Sequence, residues 1–197
     1  MQDEGAMRAA FDAGDMRSAT EAALKAYGPE ILSLLRAMHR SSADGDDAFS
    51  LFAERLFLTM DRFKWECSMR TWAYVLARRA SADIRRSEKA RRAAPISDAS
   101  ISALVVRLRT ATASWLADEK KEAFAKLRDE LPEEDRELLV LRVDREMEWN
   151  DLARVFLDDE PSEVALKREA ARLRKRFQLV KERLRSEGRA RGLIKDE

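Results

Sequence analysis

Arg168, Arg172, Arg174, Lys175 and Arg176 lie close together near the end of the chain, followed by Lys181 and Arg183. Cationic groups at this density neutralise phosphates, and arginine also donates paired hydrogen bonds to guanine O6 and N7. A second cluster, Arg78, Arg79, Arg85, Arg86, Lys89, Arg91 and Arg92, follows a stretch holding Trp65, Arg70, Thr71, Trp72 and Tyr74. Aromatic rings beside cations suit stacking on unpaired bases while holding their phosphates. Each cluster also has a plainer reading, a solvated charged helix face for the first and core packing for the aromatics of the second. Trp72 falls on the apolar face of its segment and reads as packing. Trp65 stands in a break between helices and reads as the base-contacting indole.

Other chemistry is poorly supplied. His39 and Cys67 are single residues of their type, so a zinc site or a nucleophile–base pair has few candidates. No glycine stands between 46 and 187, which excludes a glycine-rich phosphate loop there. Asp46-Asp47 and Asp158-Asp159 read as caps and turns. No catalytic residue, metal ligand or cofactor is expected.

The net charge of +1, from 38 Lys+Arg and 37 Asp+Glu in 197 residues, argues at first against a nucleic-acid partner. The charges are segregated, however. Residues 78–92 hold 7 basic and 2 acidic residues, 167–191 hold 11 and 3, and 93–166 hold 10 and 18. Two basic blocks are set in an acidic chain, and the acidic stretch between them reads as a brake on binding DNA unaided. No apolar run reaches the length of a membrane span, and the acidic start lacks the features of a secretory leader, so a cytoplasmic location is expected.

The elements that must position these residues are helical. Gly-poor stretches rich in Ala, Leu, Arg and Glu, with no alternating β-branched runs, predict an all-α protein of two small helical domains joined by a linker. Gly28-Pro29 predicts the end of one helix and the start of the next. Asp46 or Asp47 is expected to cap a helix burying Phe49, Phe52, Leu56, Met60 and Phe63. Ser68 is expected to cap one that buries Met69, Trp72, Ala73, Leu76, Ala80 and Ile84, leaving Thr71, Tyr74, Arg78 and Arg85 on its other side. Residues 93–100 read as linker, and Ile101, Leu104, Val105, Leu108, Thr112 and Trp115 as a further helix, with Phe124 and Leu127 beyond. Pro132 with Glu133-Glu134-Asp135 reads as a helix start whose core is Leu138, Leu139, Leu141 and Val143. A short helix near Trp149–Leu157, a turn at Asp158–Pro161, and a long helix with the stripe Leu166, Ala170, Leu173, Phe177, Val180, Leu184 make a helix-turn-helix.

Taken together, Phe63 and the run Met69-Arg-Thr-Trp-Ala-Tyr-Val-Leu-Ala-Arg-Arg79 resemble the promoter-melting segment of bacterial RNA polymerase sigma factors of the extracytoplasmic-function (ECF) type, in the sigma-70 family. Leu131-Pro-Glu-Glu-Asp-Arg136 through Val143, Met147-Glu-Trp-Asn-Asp-Leu-Ala153, and Leu173-Arg-Lys-Arg-Phe177 with Lys181 to Arg185 resemble that family's second DNA-binding domain. Met69 stands where the family usually has Phe, and Arg79 where it commonly has Asn. The turn before the last helix is longer than the family's.

The resemblance implies a tail over 1–19, a region 2-like domain over 20–92, a linker and lead-in helix over 93–114, a region 4-like helix-turn-helix domain over 115–188, and a tail over 189–197. It implies that Asp47, Ser50, Glu54 and Arg55 bind the clamp helices of the largest core polymerase subunit. Trp65, Arg70, Thr71, Tyr74, Arg78, Arg79, Arg85 and Arg86 would contact the -10 element, with an unpaired base held by the loop 61–68. Arg168, Arg172, Arg174, Lys175 and Arg176 would read the -35 element while the second domain docks on the flap of the other large subunit. The chain is expected to be a monomer when free, with an anti-sigma factor as a further partner. The other function classes are a helical adaptor that binds no DNA and a dimeric helix-turn-helix repressor.

Overall fold

The computed structural model describes residues 4–39, 41–86, 99–111, 126–157 and 161–194. These residues are helices and short connections, without a β-strand among them. The chain divides into two compact units, Met1–Ala113 and Ser114–Glu197.

In the first unit, α1 (Glu4–Asp12) forms where a tail was expected. It buries Met7, and the Tyr27 hydroxyl donates to Glu4 Oε1 at 3.1 Å, tying α1 to α2 (Met16–Met38). Asp15 caps α2, accepting from the Ser18 amide at 2.9 Å. The expected break at Gly28-Pro29 is absent, and α2 runs through both residues. Leu24 and Tyr27 before the pair and Ile31, Leu32, Leu34 and Leu35 after it are all buried. Packing on both sides therefore outweighs the helix-breaking tendency of proline. Gly28 serves a different end: a Cβ there would come within 2.7 Å of Leu108 Cδ1 on α5 (Ala99–Ala111).

The next helix, α3 (Ser42–Thr59), starts earlier than Asp46 because Ser41 caps it, accepting from the Ala43 amide at 3.1 Å. It crosses α2 closely at Gly45, where a Cβ would lie 2.8 Å from Arg36 Cα. Phe49, Phe52, Leu56, Met60 and Phe63 are all buried, as their spacing predicts. A 3-10 turn, Met60–Arg62, leads into an irregular loop and then α4 (Met69–Arg86). α5 packs Ile101, Leu104 and Val105 inward and belongs to this unit, against α2 and α3. Lys89, Arg91 and Arg92, most of the expected linker, Thr112, Trp115 and Phe124 lie outside the described residues.

In the second unit, the first described residues form a helical turn over 126–129 that buries Leu127. α6 (Glu133–Leu139) begins after Pro132 with its acids in the first turn, complementing the positive end of the helix dipole. It continues into a π-helical turn, Val140–Asp144, closed by the Arg145 amide on Val140 O at 3.1 Å. This wide turn shifts the register. Val140 is buried and Val143, expected in the core, is 51% exposed. α7 (Trp149–Phe156) and α8 (Glu163–Ala190) complete the unit. Ala170, Leu173 and Val180 of α8 are buried, with Phe177 and Leu184 packed against Leu131, Leu139 and Val180.

Candidate nucleic-acid interface

The loop between the 3-10 turn and α4 presents three aromatic rings. Phe63 is buried at its centre, stacked on Trp72 at 4.6 Å between centroids with 21° between planes. Trp65 lies 4.8 Å from Phe63 on another side. Both indoles stay partly exposed, so Trp72 is not the core residue its spacing predicts. Trp65 has φ of 57°, the left-handed region that non-glycine residues rarely occupy. Its Nε1–H is buried without a hydrogen-bond partner among the described residues. Each feature costs about 1–3 kcal/mol, so the surrounding packing imposes this geometry on Trp65. Part of that packing comes from α1. The Arg8 guanidinium sits 4.5 Å above the Trp65 ring, and Phe11 meets it edge-on at 5.6 Å. Arg8 and Phe11 lie in the segment that the sequence reads as a tail. Their spacing of three, which puts them on one helix face, was the available signal.

Two expected strand contacts are core residues. Thr71 is 2% exposed and Tyr74 1%. Thr71 completes the cap of α4: its amide donates to Ser68 Oγ at 3.0 Å, and the two hydroxyl oxygens are 2.8 Å apart. α4 packs against both α2 and α3, so its buried arc is wider than one stripe and takes in both residues. Arg70 is also committed inward. It donates to both oxygens of Glu30 at 2.9 Å, and its guanidinium lies 5.6 Å from the Tyr74 ring. The Glu30 hydrogen bonds raise its pKa further, against the effect of burial. Arg78 and Arg79 are partly exposed, and Arg85 and Arg86 exposed, at the end of α4. Arg86 also lies 3.5 Å from Asp83 on the same helix.

On α3, Asp47, Ser50 and Glu54 share one partly exposed face at helical spacing. Ser50 donates to its own helix, at Asp46 O, 3.0 Å away. Arg55 is turned to α4, where Nη2 donates to Asp83 Oδ2 at 2.6 Å, so it braces two helices. Leu58, one turn beyond Glu54, is 58% exposed and extends the face with an apolar group that charge patterns alone would not reveal.

In the second unit, Ser162 caps α8 by accepting from the Ala165 amide at 3.2 Å. α7 ends at Phe156 and α8 begins at Glu163, and most of the turn expected at Asp158–Pro161 lies outside the described residues. The five expected contacts of α8 divide by face. Arg176 pairs with Glu134 and Asp135 of α6, and Arg172 with Glu169 at 2.6 Å and Glu134 at 3.4 Å. Burial raises the Glu134 pKa, but Arg176 and Arg172 outweigh it and hold the carboxyl below its ordinary value. Arg174 lies over the Trp149 ring at 5.5 Å. Arg168 and Lys175 are exposed, with no ion-pair partner among the described residues. Part of the acidic stretch thus neutralises part of the basic block within the same unit.

This division gives a prediction. Arg176→Ala strands Asp135 and leaves Glu134 to Arg172 alone, and it is expected to destabilise the unit by about 1 kcal/mol, since the contacts are partly solvated. Lys175→Ala is expected to leave the urea midpoint unchanged and to lower the salt dependence of duplex binding by about one unit of slope. A large loss of stability in Lys175→Ala, or none in Arg176→Ala, would reverse the assignment.

Residues 23–91 match the Sigma-70 region 2 family. The first unit carries a segment similar to sigma-70 region 2. No curated protein matches the chain. The matched segment runs from within α2 through α3, the aromatic loop and all of α4, so every candidate -10 contact and every candidate core-binding residue falls inside it. The sigma-70 family region 2 is a module of transcription initiation, and sigma factors themselves are not enzymes. Helix α1, with Arg8 and Phe11, stands outside the match, as does the whole second unit. Among the described residues no helix is long and apolar enough to cross a membrane, and no three His, Cys, Asp or Glu side chains gather as a metal site.

Proposed function

We propose that the protein is a sigma factor of the ECF type, which joins core RNA polymerase in the cytoplasm and directs it to promoters. The observation that carries this reading is the aromatic cluster Phe63, Trp65 and Trp72 at the head of a helix that ends in exposed arginines, within the region 2 match. In this reading the face of Asp47, Ser50 and Glu54, with Leu58, docks on the clamp helices of the largest core subunit. Trp65 takes an unpaired base of the -10 element by stacking, which offsets an unpairing cost of a few kcal/mol. Arg78, Arg79, Arg85 and Arg86 hold the strand's phosphates. Thr71, Tyr74 and Arg70 build the platform beneath. The second unit docks on the flap of the other large subunit and sets Arg168 and Lys175 toward the -35 major groove.

A helical adaptor that binds no DNA would cover its basic faces itself. Arg172 and Arg176 meet that description, but Arg168 and Lys175 do not. The deciding experiment is reconstitution with core polymerase, transcription of genomic DNA, and mapping of start sites. Discrete starts that depend on the protein are expected. Failure to bind core enzyme, or binding without promoter-specific transcripts, would overturn the reading.

A further inference from the structure

The outward face of α8 is not uniformly cationic. Its buried stripe of Ala170, Leu173 and Val180 defines the opposite face as Val164, Arg168, Ala171, Lys175 and Leu179, at helical spacing. Val164 is 77% exposed in the first turn and Leu179 58% exposed, while Ala171, Arg168 and Lys175 are also exposed. A single exposed apolar side chain needs no explanation. Here three of them alternate with two unpaired cations on one line. The two arginines on the flank toward α6, Arg172 and Arg176, are occupied by carboxylates, whereas the cations on this line, Arg168 and Lys175, are exposed. Valine is also a weak helix former, so local helix propensity does not account for its place in the first turn.

We propose that Val164 and Ala171 read thymine methyl groups in the major groove, on either side of a guanine read by Arg168. This rests on the proposed placement of α8 in the -35 groove. In a helix-turn-helix the first turns of the recognition helix meet the base edges. The thymine C5-methyl is the apolar feature of the major groove, and it is met by apolar side chains. A rise of about 1.5 Å per residue puts Val164 and Ala171 about 10 Å apart along the axis, roughly three base-pair steps of 3.4 Å. Arg168 falls between them. Lys175 and the rest of the face lie further along the helix, where phosphate contact is the expected use. The site preferred by this helix is therefore a short G·C-centred element with A·T pairs at both flanks.

The test uses the full chain bound to core polymerase. Selection from random duplexes around the -35 position should enrich T at two positions about three base pairs apart, with G between. Replacing the thymine on the Val164 side by deoxyuridine, which removes only the methyl, should weaken binding about four-fold, the value of burying one such group. Val164→Asn should bind the two duplexes equally, and its exposure makes a folding defect unexpected. Loss of the same factor in both proteins, or in neither while duplex binding persists, would overturn the assignment to Val164 and leave the sigma reading standing. Absence of any selected -35 sequence would overturn the placement of α8 itself, and this inference with it.

Discussion

Tyr74→Ala is expected to destabilise the first unit severely, where an exposed strand contact would leave its stability unchanged. The ring is 1% exposed and among the largest fully buried side chains of the chain. Truncating a buried aromatic costs about 3–5 kcal/mol, through lost burial and the cavity left behind. A domain of this size has only about 5–15 kcal/mol of stability in all. The loss extends to Arg70, whose guanidinium lies against the ring while bound to Glu30. Tyr74→Phe keeps the ring and should cost less than about 1.5 kcal/mol. Urea unfolding of the three proteins, followed by helical circular dichroism, checks this. If Tyr74→Ala kept the wild-type midpoint and lost only promoter binding, Tyr74 would be a strand contact and the buried arc of α4 would be wrong.

This example marks where sequence patterns reach and where they stop. The stripe of α3 was legible because that helix buries one face, and Phe49, Phe52, Leu56, Met60 and Phe63 sit at its period. α4 lies against α2 and α3 at once, so a single-stripe reading assigned Thr71 and Tyr74 to the surface and Trp72 to the core. The capping role of Ser68 was legible from its place before the helix, but its consequence for Thr71 was not. Pro29 misled because its cost is local while the compensation, burial along α2, is tertiary. Val143 was misplaced by a π-helical turn that no periodicity announces. In α8 the charge count showed a basic helix, yet the partition of its arginines depends on Glu134 and Asp135, some forty residues away in sequence. Long-range pairing of this kind decides which cations remain for a ligand, and composition cannot express it.

Trp65→Ala is expected to reduce promoter opening while leaving core binding unchanged. Base–aromatic stacking is worth about 1–3 kcal/mol per base, or roughly five-fold to more than a hundred-fold in the population of open complexes. Removing the indole loses its packing on Phe63 and Phe11 but also a buried N–H that lacks a partner among the described residues, so the urea midpoint is measured alongside. Fluorescence of a base analogue in the -10 element would report opening. The specific control is a template lacking the captured base: wild type and Trp65→Ala should then open it equally, since the pairwise contact is gone from both. A persistent difference on that template would mean that Trp65 acts through the fold. The cover over Trp65 adds a second arm. Arg8 occupies one face of the ring at 4.5 Å, a contact worth about 0.5–1 kcal/mol at a partly exposed site. A base stacking on that face must displace the guanidinium, so Arg8→Ala should raise opening by about two- to five-fold on the intact template and have no effect on the one lacking the base. A fall in opening would instead make Arg8 part of the base-holding surface, with α1 as its support.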